Sequence, residues 1–215
     1  MPVVRLPDLT ALPPAGSLYF KAALTARRKP KSDAAIPANA VTLRGLKIEP
    51  AHLAAYNRVC ELPEGTLLLT YPQVLAAPLH IHALIQPNYP FPLLGMVHVR
   101  NTITQHSPLV IGETYDVDVE VGESRRVPQG VEVEIHTRYQ QGETVLWTAV
   151  TTVLHRLPAP KGPKKAPPPP PPAVTAHYAP FNVPADIGRR YAPVAGDYNP
   201  IHLYPITAKA LGFDR

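Results

Sequence analysis

Residues 191–213 read YAPVAGDYNPIHLYPITAKALGF. This stretch places a carboxylate, Asp197, five residues before an imidazole, His202, with turn-forming residues before and between them. Gly196 permits backbone conformations that are closed to residues with a Cβ, and Asn199-Pro200 marks a turn or the start of a helix. The stretch therefore predicts one tight bend from which the carboxylate and the imidazole both project.

An acid and an imidazole on one bend have two interpretations. An unperturbed aspartate titrates near about 3.9 and an unperturbed histidine near about 6.5, so the pair combines a hydrogen-bond acceptor with a group that exchanges protons at neutral pH. Such a pair can hold one water molecule and move its protons, as a hydratase or dehydratase requires. In the alternative, Asp197 only caps the following turn and His202 packs beside it, and composition alone favours this alternative.

The order of residues in this stretch resembles the signature of the MaoC-like (R)-specific enoyl-CoA hydratases, a hot-dog-fold family. The family pattern is Y-A-x-x-S/T-G-D-x-N-P-I-H followed by A-x-x-x-G-F. The matching positions are Tyr191, Ala192, Gly196, Asp197, Asn199, Pro200, Ile201, His202, Ala208, Gly212 and Phe213. Ala195 departs from the pattern, because the family usually has a hydroxyl side chain there, so one hydrogen bond behind the aspartate is expected to be missing.

The resemblance implies a function and a set of site residues. In the family the reaction is the reversible syn addition of water to a 2-enoyl-CoA, which gives the (R)-3-hydroxyacyl-CoA. Asp197 and His202 would be the catalytic residues, and Asn199, Gly196 and Tyr191 would support them. The substrate would be a thioester of coenzyme A or of an acyl carrier. No metal and no redox cofactor is implied, because a thioester already acidifies the α-carbon.

Composition argues against several other classes of protein. The chain has 215 residues, 45% of them hydrophobic, with no apolar run long enough to cross a membrane and no signal-peptide core. The single cysteine, Cys60, excludes an intramolecular disulfide framework and favours the cytoplasm. The net charge of +5 lies outside residues 50–155, which hold five basic and ten acidic residues. This distribution argues against nucleic-acid binding, whereas a coenzyme A phosphate needs only a few basic residues.

Composition also divides the chain. We predict an N-terminal arm (1–40), a non-catalytic hot-dog domain (41–156), a proline-rich linker (157–173) and the start of a catalytic MaoC-like hot-dog domain (174–215). The arm is expected to be partly ordered, with a short helix around Ser17–Thr25 and a solvated basic cluster at 27–31. The linker reads as an extended polyproline II spacer, which we favour over a ligand for an SH3-type domain.

Residues 41–156 carry the patterns of an α+β domain. Val41–Ile48 predicts a strand, Pro50 opens a helix that carries Cys60, and residues 72–87 are apolar on most faces, as in a buried helix that Pro78 should kink or restart. Four further strands are predicted at Met96–Gln105, Glu113–Val121, Val131–Tyr139 and Thr144–His155. A buried helix followed by long antiparallel strands is the order expected of a hot-dog domain. His80 and His82 diverge by about 200° on a helix, which favours hydrogen-bonded core or rim histidines over metal ligands.

The last segment is expected to be incomplete. Residues 176–187 read as an extended lead-in with a short strand, Asn199 as a cap, and Pro205 as the start of a helix that Gly212 closes. Only about 40 residues follow the linker, too few for a second helix and sheet. Nothing in them matches the family's A-H-G-M segment, whose glycine amide contacts the thioester oxygen. The resemblance thus implies a complete N-terminal half, a truncated C-terminal half and a poor catalyst by itself.

Three functions are compatible with these residues. The first is a hydratase or dehydratase of acyl-thioesters that forms a homodimer or pairs with another hot-dog chain. The second is a non-catalytic subunit that binds acyl-thioesters or serves as a scaffold for a complete partner. A hot-dog thioesterase is the weakest of the three, because such enzymes often carry an acid on the central helix and Pro72–Gln86 contains none.

Overall fold

The computed structural model describes residues 3–29, 34–157 and 182–210. The strands within these ranges are β1 (Val3–Arg5), β2 (Ala38–Lys47), β3 (Val97–Gln105), β4 (Thr114–Val127), β5 (Gly130–Gln141) and β6 (Thr144–Arg156). The helices are α1 (Ala15–Thr25), α2 (Pro50–Val59), α3 (Tyr71–Leu84), α4 (Ile187–Ala195), α5 (Pro200–Leu203) and α6 (Pro205–Ala210). Within the described ranges, every helix is too short or too polar to cross a membrane.

One six-stranded sheet organises the chain, in the order β1-β2-β4-β5-β6-β3. All neighbours are antiparallel except β1, which runs parallel to β2. Alternate side chains of β4, from Tyr115 to Val121, are buried beneath α3, as the two-residue period of a half-buried strand requires. The predicted α+β arrangement of a helix against a sheet is confirmed. The sheet is mixed rather than wholly antiparallel, because residues ahead of the predicted domain add the parallel strand.

Helix α3 is the central element of the core. It is continuous over 14 residues with Pro78 inside it, so the helix does not restart at the proline. Two aromatic donors anchor its beginning: the Tyr139 hydroxyl donates to the carbonyl of Pro72 at 2.6 Å, and the Trp147 indole donates to that of Leu69 at 3.0 Å. Both aromatic side chains are fully buried, which fixes α3 across β5 and β6.

The N-terminal segment belongs to the folded unit. The short helix predicted around Ser17–Thr25 is confirmed as α1, which buries Leu18 and Ala22 in the core, whereas the strand β1, which pairs with β2, was not predicted. Arg28, from the cluster predicted to be solvated, donates to the carbonyls of Leu84, Ile85, Gln86 and Phe91. The last carbonyls of a helix lack intrahelical partners and carry partial negative charge, so a guanidinium is favoured there. The solvated interpretation is therefore wrong for Arg28, because a charge run does not show its distant partners.

The C-terminal segment is more helical than predicted. Residues 182–186 form no strand, and α4 occupies residues 187–195, where no helix was predicted. Cys60 ends α2 and is half buried, while α4 packs against α2 and α3. The predicted linker beyond Leu157, the lead-in before residue 182, and Gly212 lie outside the described residues. The division into two hot-dog units stays a prediction.

Two histidines are buried in polar pairs. His80 Nε2 lies 2.7 Å from the Thr137 hydroxyl, which confirms the predicted hydrogen-bonded core histidine, whereas His82 is only half buried. His155 Nε2 lies 2.7 Å from the Tyr89 hydroxyl, and its ring stacks on Phe91 with centroids 4.6 Å apart. Burial lowers the pKa of both His80 and His155 to about 4, because the interior disfavours the charged imidazolium.

The lowered pKa values of these two histidines predict that the protein loses stability in mild acid. Between about pH 6.5 and pH 4 the unfolded chain binds protons on both rings while the folded chain does not, so the free energy of unfolding falls as pH falls. At pH 4.5 the expected loss is about 2–3 kcal/mol per histidine relative to pH 7. Urea unfolding at the two pH values measures it. His155→Gln should shrink the difference and the exposed His136→Gln should not; equal differences in both variants would contradict the assignment.

Candidate functional site

The bend around Asp197 is built from a helix end and a helix start. Gly196 ends α4 with φ 66°, a left-handed conformation that glycine adopts without steric cost. Asn199 begins α5 as its N-cap, where the side-chain oxygen accepts a hydrogen bond from the Ile201 amide at 3.3 Å, and Pro200 occupies the first helical position. The predicted tight bend and the predicted Asn199 cap are both confirmed. The bend places Asp197 just before α5 and His202 on it.

The acid and the imidazole face each other across a short gap. His202 Nε2 lies 3.7 Å from Asp197 Oδ2, and the two side chains are 47% and 40% exposed. This separation is too long for a direct hydrogen bond, but a water oxygen about 2.8 Å from each atom would contact both. The other carboxylate oxygen, Asp197 Oδ1, accepts hydrogen bonds from the backbone amide of Asn199 and from the Tyr19 hydroxyl, both at 3.1 Å. One oxygen is thus held while the other faces the imidazole.

The pair borders a cavity of about 450 Å³, within the size range of ligand sites. The cavity lies between the bend, α3, the segment before β3 and the sheet. Most of its lining is apolar and comes from Ala77, Ile81, Leu93, Leu94, Met96, Val97, Ile135, Val153 and Ile201. Among the described residues, no group of three or more His, Cys, Asp or Glu side chains is arranged to hold a metal ion. The cavity suits an extended apolar group whose reactive end lies at Asp197 and His202.

Four of the five predicted site residues lie around this cavity. Gly196 and Asn199 line it together with the acid and the imidazole. Tyr191 instead packs against α2, where its ring centroid lies 6.0 Å from that of Tyr56, and it borders a second cavity that Asp197 and His202 also line. Burial raises the pKa of Tyr191, which keeps the phenol neutral. Tyr191 therefore supports the bend from behind rather than lining the main cavity.

Two further residues shape the site and were missed from the sequence. Tyr19 reaches Asp197 from 178 residues away, and no local pattern signals such a contact. Burial raises the pKa of Tyr19, and the negative charge of Asp197 raises it further. Gly188 lies on α4 where an added Cβ would overlap the carbonyl oxygen of His202. No signal in the sequence indicated this close approach, because the helix that carries Gly188 was itself not predicted.

Gly188→Ala is expected to displace the backbone of His202. On the expectation that His202 is a catalytic residue, the variant lowers turnover by about tenfold or more, because small misplacements of such a group are costly. The fold should survive, since α4 otherwise gains helix propensity from alanine. Steady-state kinetics measures the loss of turnover, and thermal unfolding shows whether the fold survives. Gly16→Ala is the matched control, because an added Cβ there meets nothing within 4 Å. Unchanged kinetics in Gly188→Ala would contradict the close-contact explanation.

The chain is similar to known proteins in both sequence and fold. No family model matches the chain. A curated 3-hydroxyacyl-thioester dehydratase X of Mycobacterium tuberculosis is 37% identical over 192 residues, which are 86% of this chain and 66% of that protein. The crystal structure of HtdX from Mycobacterium tuberculosis aligns with a TM-score of 0.67 at 36% identity, over 81% of this chain and 68% of HtdX. The chain belongs to the MaoC-like hydratase/dehydratase family.

Membership in the MaoC-like family confirms the hot-dog fold and the enzyme class, the hydratases and dehydratases among the lyases. A MaoC-like dehydratase from Phytophthora capsici has the same fold, with a TM-score of 0.61 at 16% identity over 86% of this chain and 71% of that one. The chain spans about two thirds of the length of the Mycobacterium tuberculosis relatives that it matches.

Proposed function

We propose that this MaoC-like chain catalyses the reversible hydration of 2-enoyl-CoA thioesters to (R)-3-hydroxyacyl-CoA thioesters. The observation that carries the proposal is the position that one water molecule can occupy between Asp197 Oδ2 and His202 Nε2, on the wall of an apolar cavity. A carboxylate and an imidazole on one face of the substrate can add a proton and a hydroxyl to that same face. This geometry supports syn addition.

The proposed steps follow from the two side chains. In hydration, the water oxygen bonds to C3 of the enoyl group while Asp197 takes one of its protons, and His202 in its protonated form gives a proton to C2. In dehydration, His202 removes the C2 proton while Asp197 in its protonated form gives its proton to the leaving hydroxyl. Because the thioester acidifies C2, we propose that no metal or redox cofactor takes part.

Substrate positioning would come from the folded N-terminal half. The acyl chain would lie along α3 at Ala77 and Ile81 and against the sheet at Val153. Burying an acyl chain there stabilises the complex by about 0.8 kcal/mol per methylene. The half-exposed carboxylate and imidazole leave the reacting carbons accessible from solvent for the thioester and its carrier.

We also propose that the chain acts with a second hot-dog unit, either its own copy or another chain, in the cytoplasm. β3 ends the sheet, and most of its side chains are exposed. Of the described strands, only β6 pairs with it, so its other edge is open. An open edge strand offers backbone donors and acceptors to a partner.

Incubation of the purified chain with crotonyl-CoA tests the proposed reaction. We expect the conjugated enoyl absorbance to fall faster than in buffer alone. The 3-hydroxybutyrate that alkaline hydrolysis frees from the product thioester should be the (R) enantiomer on chiral chromatography. Formation of the (S) enantiomer would contradict the proposed face of addition. Binding of crotonyl-CoA by calorimetry without turnover would favour the non-catalytic acyl-thioester-binding alternative. Neither binding nor turnover would reject both functions.

A further inference from the structure

Helix α1 brings a tyrosine to the catalytic bend, and several contacts fix that helix in place. Leu18 and Ala22 are buried in the core on either side of Tyr19. At the end of α1, the Thr25 hydroxyl donates to the Ala22 carbonyl at 2.6 Å and accepts from the Leu93 amide at 2.9 Å. Leu93 also lines the catalytic cavity. The hydroxyl of Tyr19 is therefore presented from a fixed support rather than from a loose segment.

Tyr19 meets the bend at two points. Its hydroxyl donates to Asp197 Oδ1 at 3.1 Å, and its ring packs edge-on against Tyr198 with centroids 6.0 Å apart and planes at 78°. Tyr19 also lines the catalytic cavity. The tyrosine thus touches the acid, the residue after it and the space where the substrate would lie.

A carboxylate needs more than one donor to be held in one orientation. The terminal torsion of an aspartate is broad and roughly two-fold, so the Asn199 amide alone leaves Asp197 free to turn about it. A second donor from a different element fixes both the torsion and the identity of the oxygen that stays free. The Tyr19 hydroxyl is that second donor.

We propose that Tyr19 is a positioning residue: its hydroxyl holds Asp197 so that Oδ2 faces His202 and the cavity. The inference rests on the proposed function, because the orientation matters only if Oδ2 exchanges a proton with water. It makes the N-terminal segment a part of the catalytic site. Tyr19 itself gives up no proton during the reaction, and burial and the neighbouring carboxylate, which raise its pKa, keep it in the donating form.

Tyr19→Phe tests the role, with Tyr204→Phe as the matched control. Tyr204 is 49% exposed, and its ring, rather than its hydroxyl, contacts Arg189. We expect Tyr19→Phe to lower kcat for crotonyl-CoA hydration by about tenfold with KM within about twofold, since the ring stays in the cavity and only the orientation of the acid is lost. The control should keep both parameters. An unchanged kcat in Tyr19→Phe, or a rise in KM alone, would overturn the proposal.

A double-mutant cycle on unfolding stability separates this inference from the proposed function. Urea midpoints are measured for Tyr19→Phe in the native background and in an Asp197→Ala background. If the hydroxyl holds the carboxylate, Tyr19→Phe lowers the midpoint in the first background and by clearly less in the second. Equal shifts in both backgrounds would overturn the inference even if the native chain is active. A native chain without turnover would reject the proposed function, while the cycle would still decide whether Tyr19 holds Asp197.

Discussion

Asp197→Asn is expected to lower the rate of crotonyl-CoA hydration by about 10²- to 10⁴-fold while leaving thioester binding nearly unchanged. The amide keeps the shape of the side chain, and its oxygen can still accept from Tyr19 and Asn199. Its nitrogen, placed toward His202, can neither take a proton from water nor return one to a leaving hydroxyl. Steady-state kinetics gives the loss of turnover, and calorimetry with crotonyl-CoA gives the affinity.

Asp186→Asn is the matched control for this variant. Asp186 stands just before α4, and its side chain makes no capping hydrogen bond to that helix. Removing its negative charge should leave kcat within about twofold of the native value, because Asp186 lines neither of the two cavities that Asp197 and His202 border. Equal losses in both variants would show that net charge, rather than the carboxylate at the bend, controls the rate. Full activity in Asp197→Asn would remove the acid from the mechanism.

Arg28→Ala is expected to reduce the free energy of unfolding by about 2–4 kcal/mol. The guanidinium donates to the carbonyls of Ile85 and Gln86 at 2.9 Å and to those of Leu84 and Phe91 at 3.4 and 3.2 Å. These are the last carbonyls of α3 and the chain that follows it, and alanine offers them no donor. The variant should also loosen α1, because Arg28 follows α1 and joins its end to the end of α3 by these hydrogen bonds.

Thermal and urea unfolding measure this loss, with Arg27→Ala as the neighbouring control. Arg27 is exposed, so its removal should change the free energy of unfolding by less than about 0.5 kcal/mol. Arg28→Lys should fall between the two, because an ammonium keeps the charge but cannot reach four carbonyls from one planar group. If Arg28→Ala were as stable as Arg27→Ala, the link between α1 and α3 would not contribute to folding. In either case, kcat of the folded Arg28→Ala variant tests whether Tyr19 still holds Asp197 when α1 has lost this contact.

The regular elements of the first half could be predicted because their signals are local. The alternation of apolar residues predicted four strands that correspond to β3–β6, and each observed strand contains most of its predicted range. The proline at residue 50 begins α2, and the apolar run after Tyr71 forms the buried helix α3. In each case a short window of sequence contains both the pattern and the physical cause of the element.

The contacts of the N-terminal segment could not be predicted for the opposite reason. β1 is three exposed residues, too few to show a strand period, and it pairs with residues about 35 positions later. Arg28 sits in a basic run that looks solvated until the end of α3 is placed beside it. No helix was predicted over residues 187–195, but α4 forms there and packs on α2 and α3.

The residues by themselves determined the bend: a glycine that ends one helix, an asparagine that caps the next, and an acid and an imidazole between and after them. That much is set by backbone conformations and by hydrogen bonds that span two or three residues. Only the tertiary structure decided what the bend faces, because the cavity wall on α3, the tyrosine on α1 and the close contact at Gly188 join parts of the chain that share no local pattern. Packing of distant apolar surfaces brings these parts together, and the sequence of each part does not show which other part it will pack against.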